Sequence, residues 1–457
     1  MAAETRAAPA RKRLHRGSQS YYTYRMTAYS SENDYLQDLE RRGALPEGFA
    51  VSTASLEFSP REKEGRAAMN LTLLLLDEPS PLFAGVFTRN RVAGAPVLIG
   101  RERLAEPSLR GLLVNNKIAN VCVPGGREAA EMLLAELAGQ TGGKAEEFWA
   151  ASTGVIGWRL PAEEMRAALP GLVRSLQTES VLPAARAIMT TDSYAKVRRA
   201  EVGGGSITGI AKGAGMIEPN MGTMLAFLLT DIAVEREVLR RIWRECVEES
   251  FNRISVDGDQ STSDMAVLAS SGRIYGVDAA DFQSAMLTVC RDLAADVVRN
   301  GEGVGHVIRV RCRGAAPPLA QGAAKAIANS PLVKAAIYGN DPNVGRIISA
   351  VGDFLSTAAP AAPAALGAAS TDVSALTVSL GGAEVFREGR FRLDRDKEEF
   401  LSNYLRECAQ NPVVKGYPQH DREVLIEVDL GGEGDAVEVL GADLTDQYIR
   451  ENADYRS

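Results

Sequence analysis

Histidine is nearly absent. The chain of 457 residues holds only His15, His306 and His420, and neither His306 nor His420 stands in a recognisable triad context. Transferases and hydrolases of the Ser–His–Asp or Cys–His kind need one well-placed imidazole. Any acyl chemistry here must therefore find its base elsewhere, and surface or satisfied polar roles are expected for both residues. Cysteine is sparse as well. Cys122, Cys246, Cys290, Cys312 and Cys408 are odd in number and no pair has CxxC spacing. This argues against a disulfide framework or a zinc site, and a reducing compartment fits. Long apolar runs are missing too. The longest unbroken one is Met224–Leu229, far below the roughly 20 residues of a membrane span. The net charge of -8 argues against non-specific attraction to nucleic acid or anionic lipid, though an anionic small substrate stays open.

What is present is ordinary for a globular protein, with 45% hydrophobic and 24% charged residues. The length suits two or three domains or one large catalytic unit. From Met1 to Arg25 the chain carries Arg6, Arg11, Lys12, Arg13, Arg16 and Arg25 against a single Glu4. It lacks the apolar core of a secretory signal. Residues 1–44 are expected to be a basic, disordered tail of a cytoplasmic protein, an organellar transit peptide being the alternative. Ordered structure is then expected from near Leu45.

Strands are expected at Asn70–Leu76, Leu112–Asn115, Ser206–Ile210 and Thr223–Leu229, because short apolar runs between turn signals suit buried strands. Helices are expected at Arg127–Ala138 (closed by Gly139), Ala162–Leu176, Glu235–Arg253 and Ala279–Arg299. Ser356–Ser370, rich in Ala and Pro, reads as a linker. Gly381–Gly382 reads as the turn of a hairpin joining Ala375–Leu380 to Ala383–Phe386. The mixture points to an α/β or α+β class.

Three segments invite chemistry. Asp257–Asp264 (DGDQSTSD) opens like a calcium loop, but Thr262 stands at the sixth position and Leu268 at the twelfth, where glycine and glutamate belong. A helix N-terminus capped by Ser261, Thr262 or Ser263 is the better reading. Gly301–Gly305 follows an expected helix and is not GxGxxG; by itself Glu302 would be a turn acid on the surface. The third, Gly209–Asp231 (GIAKGAGMIEPNMGTMLAFLLTD), sets a lone Lys212 in a loop of small residues that runs into Thr223. Glycine before that threonine permits backbone angles other residues resist. Strain at a peptide bond next to a hydroxyl is what an N-to-O acyl shift requires. Hydrolysis of the ester would free Thr223 as a new N-terminus. Its α-amine, a group that ordinarily titrates at about 7.7–8.0, could serve as base toward its own hydroxyl. Taken alone, a Gly-Thr at a strand start is structural.

That segment closely resembles the cleavage region of the ornithine acetyltransferases, or bifunctional glutamate N-acetyltransferases, of arginine biosynthesis. Further matches follow in order: FTRN at Phe87–Asn90, STGVIG at Ser152–Gly157, MTTD at Met189–Asp192, SVDGDQSTSD at Ser255–Asp264, NGEG at Asn300–Gly303, IANSPLVK at Ile327–Lys334, DPNVGR at Asp341–Arg346 and IRENADYRS at Ile449–Ser457. The resemblance covers nearly everything from Leu45 onward.

The resemblance implies a layered αββα sandwich like that of N-terminal-nucleophile hydrolases, with a smaller C-terminal α/β domain over roughly 346–457. It implies cleavage between Gly222 and Thr223 into an alpha chain (45–222) and a beta chain (223–457), paired as a dimer of such units. Thr223 matches the nucleophile, and Thr153 and Gly154 match the oxyanion hole. Thr190, Lys212, Glu302, Asn452 and Ser457 match substrate-binding positions. The implied reaction moves acetyl from N-acetylornithine to glutamate by a ping-pong route, and some members also take acetyl-CoA; no cofactor or metal is implied. Gly222 stands where the family usually has alanine, and Lys117 and Ile118 replace a small, glycine-containing run. An amidohydrolase or aminopeptidase on the same scaffold, and an uncleaved amino-acid-binding relative, are the alternatives.

Overall fold

The computed structural model describes residues 29–218, 224–361, 373–410 and 416–453. Gly222, Thr223, Ser457 and most of the basic tail lie outside the described residues. The chain begins with α1 (Glu32–Arg42), β1 (Phe49–Phe58), β2 (Ala67–Ser80), β3 (Phe83–Phe87), α2 (Ala95–Arg103) and β4 (Leu109–Asn115). There follow α3 (Gly126–Thr141), β5 (Phe148–Ser152), α4 (Ala162–Arg174), α5 (Leu182–Ala187), β6 (Lys196–Val202), β7 (Gly205–Lys212) and β8 (Leu225–Ile232). Next come α6 (Arg236–Glu248), β9 (Ile254–Ser255), β10 (Met265–Ile274), α7 (Ala279–Arg299), β11 (Val307–Arg313), α8 (Pro317–Asn329), α9 (Pro331–Tyr338) and α10 (Val344–Ala361). The last are β12 (Thr377–Leu380), β13 (Ala383–Arg387), β14 (Arg390–Phe391), α11 (Arg395–Cys408), β15 (Val424–Asp429), β16 (Val437–Ala442) and α12 (Asp446–Ala453).

The architecture is mixed α/β, with two stacked sheets at its centre. One has the order β1-β2-β4-β5 and the other β3-β10-β8-β7-β6. Period-2 alternation sends successive side chains of each strand to opposite faces. Val51, Leu74, Leu112 and Trp149 of the first sheet therefore meet Phe227, Leu229, Val267 and Ile210 of the second in one core between the sheets. On the outer face of the first sheet, Leu71, Leu73 and Phe148 pack against Leu133 and Leu137 of α3 and Leu169 of α4. On the outer face of the second, Ala226, Leu228 and Leu268 pack against Trp243 of α6 and Leu293 of α7. The order of layers is thus helix, sheet, sheet, helix. Central β8 is buried along its whole length. That explains its unbroken apolar sequence, since a strand covered on both faces has no solvent side to mark with polar residues.

A third sheet, β14-β13-β12-β15-β11-β16-β9, carries the C-terminal core. Ile308, Val310 and Cys312 of β11 face α8, α9 and α10 across that core. The cluster reaches back to Ile308, so it draws on residues on both sides of position 346, where the sequence marked off the smaller domain. Among the described residues, no helix is long and apolar enough to cross a membrane.

Several local expectations need correction. Order begins before Leu45, because α1 buries Tyr35, Asp38 and Leu39. Helix α3 passes Gly139 and stops at Gly142. The amphipathic run from Glu235 yields α6 to Glu248, followed by a single tight turn at Phe251–Arg253. The Ala/Pro-rich stretch remains helical to Ala361, and 362–372 are outside the described residues. Ser261, Thr262 and Ser263 cap no helix; the chain runs straight from that loop into β10. Both His306 and His420 are buried.

Candidate active site

The entry to β8 lies in the middle of the five-stranded sheet. β8 is flanked by β7 and β10, and Leu225 is in register with Lys212 on one side and Met265 on the other. Lys212 is the last residue of β7 and is almost fully buried. Its ammonium donates to the Thr153 hydroxyl at 3.3 Å. Thr153 belongs to the other sheet, where it follows β5. The two sheets therefore converge on one spot beside Met224, the residue that leads into β8.

The Thr153–Gly154 turn is built from its neighbours. Asn115, at the end of β4, accepts the Thr153 amide on its carbonyl at 3.1 Å and the Ser152 hydroxyl on its side chain at 2.6 Å. The Val155 amide donates to the Lys117 carbonyl at 2.8 Å. Gly154 sits at φ +125, and a Cβ there would meet the Lys117 carbonyl carbon at 2.1 Å. Only glycine fits, both in conformation and in space. Lys117 itself has φ 73, an uncommon angle for a side-chain-bearing residue.

One buried carboxylate gathers the loops around this spot. Asp192 Oδ2 accepts the Thr190 amide at 3.1 Å, and Oδ1 accepts the Gly213 amide at 2.7 Å and the Lys196 ammonium at 2.6 Å. Lys196 is wholly buried and donates also to Asn300 Oδ1 at 2.6 Å, which takes the Ser193 amide too. Burial alone would push the Asp192 carboxyl up. The Lys196 and Lys212 charges and the Gly213 amide outweigh it and hold the value down at about 2. The segments bearing Thr190, Lys212 and Glu302 are thus tied to a single ionic knot.

Glu302 is not a surface acid but is 7% exposed. Its amide donates to the Ala214 carbonyl at 3.1 Å, and its Oε2 accepts from Asn452 Nδ2 at 2.8 Å. A Cβ on Gly215 would stand 2.3 Å from that same oxygen, so the carboxyl lies directly on the small-residue loop. Burial pushes the Glu302 carboxyl above the usual carboxylate range, against hydrogen bonds from Thr191 and Asn452. A cavity borders it, lined also by Thr191, Asn300, Gln447 and Glu451.

Of the residues expected from sequence, the structure brings Thr153 to Lys212, ties Thr190 to the loop after Lys212, and joins Glu302 to Asn452. Asp192, Lys196 and Asn300 were given no role. Two of them fall inside matched motifs, yet nothing in a linear sequence shows that an aspartate and a lysine four apart will be fully buried. His306 is satisfied by Asp443 at 2.8 Å and the Leu405 carbonyl at 3.1 Å.

The family model of the ArgJ family matches residues 57–457. The arginine biosynthesis bifunctional protein ArgJ of Nitratidesulfovibrio vulgaris is 38% identical over 91% of this chain and 100% of its own length. Glutamate N-acetyltransferase Oat2 of Streptomyces clavuligerus is 36% identical over 90% of this chain and 98% of its own. A solved structure of the arginine biosynthesis bifunctional protein ArgJ from Bacillus halodurans is 32% identical, covering 50% of this chain and 99% of that one with a TM-score of 0.43. The chain belongs to the ArgJ family.

Proposed function

We propose that the chain cuts itself between Gly222 and Thr223 and that the freed threonine moves acetyl from N-acetylornithine to glutamate, as a cytoplasmic enzyme of arginine biosynthesis. The observation that carries this reading is the Lys212–Thr153 contact, made where two sheets converge on the entry to β8. In the sequence Thr223 immediately precedes Met224, the residue that leads into β8. In self-cleavage the Thr223 hydroxyl oxygen adds to the Gly222 carbonyl carbon. The C–N bond breaks and the nitrogen takes the hydroxyl proton. Water then hydrolyses the ester, leaving a Gly222 carboxylate and a Thr223 α-amine. The products are an alpha chain ending at Gly222 and a beta chain beginning at Thr223, and two such pairs form the dimer.

The transfer reaction reuses the same hydroxyl. With its own α-amine as base, Thr223 attacks the acetyl carbonyl of N-acetylornithine and expels the amine of ornithine. The Thr153 hydroxyl and the Gly154 amide are the donors for the oxyanion, whose charge grows only at the transition state. Glutamate's amine then takes the acetyl group from the threonine ester. Both amino-acid substrates carry a carboxylate and an ammonium. Lys212 suits the first and Glu302 the second, as charge-assisted hydrogen bonds, and Thr190, Asn452 and Ser457 complete the substrate shell. Acetyl-CoA is a further candidate donor, read by a panel of acetylornithine against acetyl-CoA with glutamate as acceptor.

Denaturing electrophoresis of the purified protein is the direct test. Two fragments of similar size are expected, and Thr223→Ala should leave one band at 48.9 kDa. A single full-length band from the active wild type would end this reading. Ornithine release that ignores glutamate would replace transfer by hydrolysis.

A further inference from the structure

The cavity beside Glu302 has two walls that the chemistry described above does not use. Tyr194, from the segment before β6, and His420, from the segment before β15, both line it. Tyr194 is 6% exposed and His420 5%. Two of their atoms, Tyr194 Oη and His420 Nδ1, are buried with no hydrogen-bond partner among the described residues. Buried polar atoms are normally paired, and each orphan is destabilising. Two of them beside one cavity mark a place where a polar ligand supplies the bonds.

Packing holds both rings in place. Tyr194 meets Tyr35 edge to face, with ring centroids 5.5 Å apart. His420 Nε2 lies 3.2 Å from the Gly305 carbonyl, and the His420 carbonyl takes Arg299 Nη2 at 2.7 Å. A carbonyl only accepts, so the ring proton is on Nε2 and Nδ1 presents a lone pair. Burial, helped by the Arg299 charge, holds the ring's value down at about 4, so that lone pair persists at neutral pH. The charged groups lining the cavity are the Glu302 and Glu451 carboxylates and the Arg299 guanidinium, which also pairs with Asp296 at 3.6 Å. Gln419 Nε2, a donor without a partner among the described residues, suits a carboxylate in the same lining. The cavity volume is about 20 Å³, and about 10–15 Å³ is enough for one water. An ammonium head is of that size.

We propose that this cavity takes the side-chain ammonium of ornithine and of N-acetylornithine, with Glu302, Tyr194 Oη and His420 Nδ1 each accepting one N–H. This deepens the reading in which Glu302 meets a substrate ammonium, and rests on it. With acetyl on the α-nitrogen of ornithine, the side-chain amine is the ammonium that remains. A primary ammonium has three N–H donors and no acceptor, which matches a bare imidazole nitrogen, a phenol oxygen and a carboxylate. An analogue without the amine leaves those buried acceptors unpaired, and such a site rejects it.

The test is calorimetric titration of the mature enzyme with ornithine and with norvaline, the same chain without the side-chain amine. Wild type should bind ornithine more tightly. Tyr194→Phe removes a hydroxyl that has no partner among the described residues, so melting and norvaline binding should hold while ornithine binding weakens about tenfold. His420→Phe should weaken ornithine binding by a similar factor; if it does not fold, Tyr194→Phe decides. A preference for ornithine that is unchanged in Tyr194→Phe would overturn the proposal and leave the acetyl-transfer reading standing. Equal binding of the two ligands by wild type would overturn it together with the ammonium role of Glu302. Wild type that binds neither would sink the proposed function itself, and this subsite with it.

Discussion

On β11 of the C-terminal unit, Arg309, Arg311 and Arg313 alternate with the core residues Ile308, Val310 and Cys312. The register sets Arg311 opposite Glu427 on β15 and Glu438 on β16, and Arg313 opposite Asp429. The result is a ladder of ion pairs on the outer face of a sheet, with the arginine heads partly in water. At the sandwich site the chemistry is the same but the surroundings differ. Lys196 and Asp192 pair at 2.6 Å with no exposure of either side chain, and Asp192 and Asn300 bind the segments bearing Thr190, Lys212 and Glu302 together. A pair in water yields little net energy, because water competes for both ions. A dry pair cannot be half removed without leaving an uncompensated charge. The ladder fits the open face of a sheet, and the knot holds three loops in one geometry.

The sharpest way to break that contrast is Lys196→Met. It strands the Asp192 carboxylate in a dry site and should cost about 3–5 kcal/mol in chemical denaturation, with activity falling further than stability as Thr190 and Glu302 lose their common anchor. The same knot has an acid signature. Asp192 titrates lower in the folded chain than unfolded, so its contribution is complete above the unfolded value of about 4 and is lost as pH falls toward 2. Stability measured against pH should show that limb in wild type and a weaker one in Lys196→Met.

Gly154→Ala comes next. The added Cβ cannot avoid the Lys117 backbone, and the φ of +125 is one that side-chain-bearing residues rarely adopt. On the proposed role of Gly154 as an oxyanion donor, the expected loss is about 10²–10³ in kcat, or about 2.7–4 kcal/mol. The loss should appear in kcat more than in KM, which sets it apart from loss of the knot, where both change.

Glu302→Gln tests the other buried charge. Glu302 differs from Asp192 in having, among the described residues, a hydrogen-bond donor but no paired cation. A missing charged partner for a substrate ammonium should cost about 1.5–3 kcal/mol, read as a higher KM. Ammonium binding needs the ionised carboxyl, whose value is raised. KM in wild type should therefore fall as pH rises through that value, and stay flat in Glu302→Gln.

How much of this could be read from the sequence depends on how local the cause is. The apolar run at Leu225–Leu229 and the periodicity of Ala279–Arg299 gave β8 and α7 because each pattern is contained in its own segment. The polar segment that becomes α1 was missed, since its apolar anchors are few: Tyr35 and Leu39 meet a core laid down elsewhere in the chain. DGDQSTSD was misread as a helix start because Ser, Thr and Asp serve turns and caps alike. Motifs located the Lys212, Thr153 and Glu302 segments. What joins them was hidden: the contacts of Lys196 with Asn300, 104 positions apart, and of Lys212 with Thr153, 59 apart, leave no periodic trace.

The smallest effect sits on the ladder. Arg313 meets Asp429 at 2.8 Å, but half of the arginine side chain is in water. Arg313→Ala removes a cation that water already solvates, while the core side of β11, through Cys312 and Val310, is untouched. The expected cost is about 0–1 kcal/mol, shrinking further in high salt, with cleavage and transfer rates unchanged. A loss near that of Lys196→Met would mean that the outer face of the C-terminal sheet is dry in the working protein, covered by something that excludes water from the ladder, and the contrast between the two regions would then be one of degree.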